Sequence, residues 1–84
     1  MNNLSPELRD IWTDTYKFHV RFDGMANTAE AWGECCDEAI RLLSRHGNHP
    51  LAACLLTAVY EYLDTVRRPD AFAAARKEAG LEAI

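Results

Sequence analysis

The stretch Leu51-Ala-Ala-Cys-Leu-Leu-Thr-Ala-Val-Tyr-Glu-Tyr-Leu63 decides the fold, because only Thr57 and Glu61 in it are polar. Thr57, Glu61, Asp64, Thr65 and Arg68 recur at steps of four, three, one and three. At helical spacing these fall on one narrow stripe, and Leu, Ala, Cys, Val and Tyr fill the rest of the circumference. A helix apolar around most of its girth is surrounded by protein. The run is too short for a bilayer, which needs ~20 apolar residues, and it carries Glu61.

The flanks of this segment are punctuated. Gly47-Asn48-His49-Pro50 precedes it, with Asn48 or His49 as cap and Pro50 at the first helical position. Arg67-Arg68-Pro69-Asp70 stops it, giving a helix over about 50–67. An alanine-rich segment follows, expected to form a short fourth helix over about 70–79, with Phe72, Ala75 and Ala79 available to dock and Gly80 at its end.

Upstream, Ser5-Pro6-Glu7 opens a helix over about 6–22: Ser5 caps, Pro6 suits the first turn and Glu7 faces the positive dipole end. At ~100° per residue, Leu8, Ile11, Trp12, Thr15, Tyr16, Phe18, His19 and Phe22 share one side. Arg9, Asp10, Thr13, Asp14, Lys17 and Arg21 share the other, with Val20 just inside it. Asp23-Gly24 ends this helix. Asn27 or Thr28 caps a second one over about 28–46, and Asn27 with Glu30 is compatible with a capping box. Trp32, Cys35, Cys36, Ala39, Ile40, Leu42 and Leu43 form its apolar side. Glu30, Glu34, Asp37, Glu38, Arg41 and Arg45 form its polar side, with Asp37 and Arg41 an i,i+4 pair in the favourable order. Gly47 is its natural C′ residue.

The expectation is an all-α fold: one domain over residues 1–84, a small antiparallel bundle of three main helices plus the short fourth, with helix three central. Helices one and two cover only part of helix three. The remainder falls to helix four or to a second copy of the chain, and a homodimer is the commonest closed assembly.

Size and charge narrow the function. The chain has 84 residues, 49% of them apolar and 26% charged. A single core of this size supports only about 3–5 kcal/mol of stability, so a partner subunit would help. The net charge of −4 disfavours a nucleic-acid backbone as partner, since phosphate binding needs a clustered positive field. Helix two, the turn and helix three mimic a helix-turn-helix, but helix three would offer Thr57, Glu61 and Asp64 to the major groove. The three cysteines, Cys35, Cys36 and Cys54, read as reduced and imply a cytoplasmic setting. No signal-peptide pattern is expected in the first residues.

Candidate sites are few. His19 lies near the centre of helix one's apolar face and reads as a buried, hydrogen-bonded polar group rather than a ligand or proton carrier. Cys35, Cys36, Cys54, His46 and His49 make a poor zinc set, because adjacent helical cysteines point ~100° apart and the histidines straddle a helix end. No nucleophile–base–orienter constellation can be read, so no catalytic residue, metal or cofactor is assigned and an enzyme is disfavoured. Trp12, Trp32, Tyr16 and Tyr60 read as core or interface anchors. Glu30, Glu34 and Glu38 form an acidic row: the solvated side of helix two, or a surface for a basic partner. The candidate interaction surface is therefore Trp12, Tyr16, Glu30, Glu34, Glu38 and Tyr60.

The pattern Trp12, Tyr16, Phe18-His19, Trp32, then Asn48-His49-Pro50-Leu51 with Leu55-Leu56-x-Ala58-Val59-Tyr60 resembles short helical proteins carried by bacterial prophages and conjugative elements. The resemblance covers about residues 8–66. It implies a bacterial cytoplasmic accessory protein and carries over no catalytic residue. The expected function is a non-enzymatic, self-associating protein–protein interaction module. The alternatives are an inhibitor of a host or defence protein acting through the acidic face, and a dimeric DNA-binding regulator.

Overall fold

The computed structural model describes residues 3–66, which form three α-helices and no strand. They are α1 (Pro6–Phe22), α2 (Ala29–Arg45) and α3 (Pro50–Thr65). The expected fourth helix over about 70–79 lies outside the described residues. No described helix is long and apolar enough to cross a membrane.

Local chemistry sets each boundary. The Ser5 hydroxyl accepts from the Leu8 amide at 3.2 Å, with Pro6 in the first turn. Thr28, rather than Asn27, caps α2, accepting from the Ala31 amide at 3.1 Å. Asn27 is used differently: its Oδ1 accepts the Trp32 indole N–H at 2.8 Å. At the other end of α2, Gly47 takes φ +62. The Asn48 amide reaches back to the Leu43 carbonyl (2.9 Å) and the Gly47 amide to Ser44 (3.0 Å). These two bonds make a Schellman closure, which needs a left-handed residue at that point. Asn48 also sits at φ +57, a conformation its short polar side chain tolerates. His49 then caps α3 through Nδ1, which accepts from the Leu51 amide at 3.0 Å.

α3 packs more extensively against α1 and α2 than those two pack on each other. The buried core draws on all three helices: Ile11, Phe18 and Phe22, then Cys35 and Leu42, then Ala52, Leu56 and Leu63. Phe18 and Phe22 stack obliquely at 5.3 Å between centroids. Thr15 is the one buried polar residue among those described, and its hydroxyl donates to the Ile11 carbonyl one turn back at 2.8 Å. No described buried side-chain oxygen or nitrogen lacks a partner, as a low-dielectric interior requires.

The apolar faces are wider than the core. On α1 the buried residues Ile11, Thr15, Phe18 and Phe22 occupy one edge of the apolar side. Trp12 and Tyr16, on its other edge, are 49% and 70% exposed. On α2, Cys35 is fully buried while its neighbour Cys36 is exposed, and Ile40 is 59% exposed. On α3, Cys54 and Ala58 also face outward. The reason is geometric: among the described residues each helix touches two others, and two neighbours close only part of an arc this broad.

Candidate functional site

Three surface features stand out, two of them from that surplus. The first is an apolar groove of about 430 Å³ between α2 and α3. α2 contributes Cys36, Ala39, Ile40 and Leu43, and α3 contributes Ala53, Leu56, Thr57, Tyr60 and Glu61. Helical spacing explains the wall on α2, since residues 36, 39, 40 and 43 fall at i, i+3, i+4 and i+7. An adjoining hollow on α3, lined by Ala53, Cys54, Thr57, Ala58 and Glu61, continues the groove outward. Tyr60 forms its inner end, with its ring edge-on to Trp32 at 5.4 Å. Burial pushes the Tyr60 hydroxyl above its ordinary pKa, with smaller contributions from Cys36, Cys35 and Asp64. Burial likewise raises the Cys35 thiol, aided by Cys36 and opposed by Arg21. Cys35 is therefore held as a neutral packing group, not a reactive thiolate.

The second feature is aromatic and lies where α1 meets the end of α3. Tyr16, His19, Val20, Asp23 and Tyr62 surround a shallow depression. His19, read from the sequence as a buried polar group, is instead on this surface with its side chain 40% exposed. His19 is central to α1's apolar side, but the covered arc is centred on Ile11, Thr15, Phe18 and Phe22, which leaves His19 just beyond its edge. Its ring meets Tyr62 edge-on at 5.5 Å, and Nε2 lies 3.3 Å from Asp23 Oδ1. Trp12 lies on the same helix one turn before Tyr16.

The third feature is a polar seam between α1 and α2. Arg41 grips Glu38 through two nitrogens at 2.8 and 2.6 Å, and Arg21 of α1 adds a contact at 3.6 Å. The hydrogen bond from Arg41 is the main reason the Glu38 carboxyl is held below the usual glutamate range; burial opposes it, and the charges of Arg41 and Arg21 reinforce it. Farther along, His46 Nε2 lies 2.7 Å from Asp14 Oδ2, and Arg45 approaches the same oxygen at 3.4 Å.

The structure thus divides the acidic row. Glu30 and Glu34 are exposed, whereas Glu38 keeps only 18% of its side-chain surface and is neutralised by arginines. The expected Asp37–Arg41 pair is replaced by Glu38–Arg41, because Glu38 lies nearer α1 and Arg21. Tyr60 belongs to the α2–α3 groove, Trp12 and Tyr16 to α1, and no single surface joins all six proposed interaction residues. The polar seam escaped sequence reading although Glu38 and Arg41 stand at i,i+3; its other half, Arg21 and Asp14, comes from a different helix. No group of three His, Cys, Asp or Glu side chains among the described residues is arranged to hold a metal ion. No family model matches the chain, and neither a curated protein nor a solved structure matches it.

Proposed function

We propose that this chain is a small protein–protein interaction module that associates with a second copy of itself through the α2–α3 groove. The observation that carries this reading is Ile40, 59% exposed beside an apolar groove of about 430 Å³ in a chain of 84 residues. Exposed apolar surface of this kind is characteristic of interaction sites. A domain this small also gains the most from burying it, since its own core supports only about 3–5 kcal/mol. Chemistry at the groove is sparse: its polar groups are the Cys36 thiol, the Thr57 hydroxyl, the Tyr60 phenol and the Glu61 carboxylate, and the rest is aliphatic. That lining suits packing better than catalysis.

The competing occupant is the segment over about 70–79, expected from the sequence to be helical and lying outside the described residues. The resemblance to short helical proteins of prophages and conjugative elements supports a bacterial accessory role for the module. The test is Ile40→Asp in the full-length chain, followed by sedimentation and far-ultraviolet circular dichroism. Loss of the dimer with helical signal retained supports the reading. An unchanged mass distribution contradicts it.

A further inference from the structure

We propose that the seam between α1 and α2 is a binding site for a phosphoryl group, carried by inorganic phosphate or by a small phosphate monoester. The two helices bring the same pattern to it. α1 supplies Asp14, Lys17, Phe18 and Arg21, and α2 supplies Glu38, Arg41, Leu42 and Arg45. In both, acid, base, apolar residue and base stand at i, i+3, i+4 and i+7, which is one face of a helix. The contacts run antiparallel, so the acid that opens each pattern meets the arginine that closes the other. Arg45 lies 3.4 Å from Asp14, and Arg21 lies 3.6 Å from Glu38. Buried Phe18 and Leu42 form the floor of a pocket of about 190 Å³.

The charge in this pocket does not balance. Four cations and two carboxylates line it, a surplus of two positive charges in a chain of net charge −4. Asp10 and Glu34, the acids one turn back on each helix, do not line it. A ladder of ion pairs that served only to join the helices would give each base an acid. Lys17 is exposed and has no ion pair among the described residues. The carboxylates sit low and the guanidinium groups high: Asp14 and Glu38 keep 13% and 18% of their side-chain surface, whereas Arg21, Arg41 and Arg45 keep 56%, 60% and 59%. Arg41 is fixed along one edge by its two bonds to Glu38, and Arg21 is also held over the Phe22 ring at 4.8 Å. A guanidinium has five donors, so each keeps some for a second acceptor. Groups already held in place cost less to order when an anion binds.

The surplus of two charges matches the dianion that a phosphate monoester carries above its second pKa of ~6. Bases on both walls suit a group with three outward oxygens better than a planar carboxylate, and arginine is a preferred partner of phosphate. The net charge of the chain disfavours a long polyanion, whose binding needs a field spread over many phosphates, but one phosphoryl group meets only this pocket. The pocket shares no residue with the α2–α3 groove, so this site stands independently of self-association.

The test is an NMR titration of the isotope-labelled full-length chain with inorganic phosphate and, separately, phenyl phosphate, at constant ionic strength and slightly alkaline pH. Signals of Arg21, Arg41 and Arg45 are expected to shift and to saturate, while acetate gives only a small, unsaturated drift. Lys17→Gln is expected to weaken binding about fivefold, the upper value of one exposed ion pair, with the thermal melt unchanged. Lys17→Arg, which keeps the charge, is expected to bind as the parent does. If Lys17→Gln alters the melt, Arg45→Gln takes its place with the same expected loss. Tighter binding of phenyl phosphate assigns the site to an ester and equal binding to the free ion; both support it. Shifts that never saturate, that acetate reproduces, or that the charge-removing variant leaves at parental affinity overturn it.

Discussion

Arg41 holds Glu38 by two hydrogen bonds, 2.8 and 2.6 Å long, and so removes one carboxylate from the acidic row of α2. The consequence is a pH dependence with a definite sign. A carboxyl whose pKa is lower in the folded chain than in the unfolded one stabilises the fold above its unfolded value, ~4.3 for glutamate. That contribution is lost as pH falls through the lower folded value. Thermal melts of the parent and of Glu38→Gln are therefore expected to differ at neutral pH and to converge in acid. A gap that widens on acidification contradicts the assignment.

Asp14 and His46 join the middle of α1 to the end of α2 in a half-buried setting. Asp14→Ala deprives His46 and Arg45 of their shared acceptor. Its expected cost is about 1.5–3 kcal/mol at neutral pH, the usual range for a hydrogen bond involving a charged group. Urea unfolding measures it. A cost under about 0.5 kcal/mol means the contact is no stronger than an exposed surface pair.

Phe18 and Tyr16 are both aromatic residues on one side of α1, yet only Phe18 is buried. Phe18→Ala opens the centre of the core and costs about 3–5 kcal/mol. That equals the whole stability of a domain this size, so the variant is expected to be largely unfolded at room temperature. Tyr16→Ala is expected within about 0.5 kcal/mol of the parent. Circular dichroism of the two variants side by side checks the division of the face.

Gly33 has open space around its missing Cβ. Gly33→Ala therefore adds helix propensity without a clash among the described residues and is expected to raise stability by about 0.8–1 kcal/mol. The measurement is a melt at protein concentration low enough to keep the chain monomeric. A fall in melting temperature contradicts the account of that edge as open.

Much of the fold was legible because its signals are local. Ser5-Pro6, Gly47 and His49-Pro50 mark helix ends through bonds made within a few residues, and they act in the structure where the sequence puts them. The capping of α2 was legible only to within Asn27 or Thr28, since both carry a suitable oxygen; the pull of the Trp32 indole on Asn27 decided it. The candidate site was less legible. Periodicity places Trp12, Tyr16 and His19 with Ile11 and Phe18, but how much of a broad arc is covered depends on where the neighbouring helices lie. The partition of Glu38 from Glu30 and Glu34 likewise depends on Arg21, which no spacing along α2 reveals. The narrow polar stripe of α3 shows that its apolar girth exceeds what two helices cover, but that Cys54 and Ala58 are the residues left outside depends on where α1 and α2 lie.

Sedimentation equilibrium of the full-length chain over a range of concentrations tests the central claim most directly. Self-association through the α2–α3 groove predicts a mass that rises with concentration to twice the 9.5 kDa of one chain and stops there. A mass of 9.5 kDa at every concentration would contradict it.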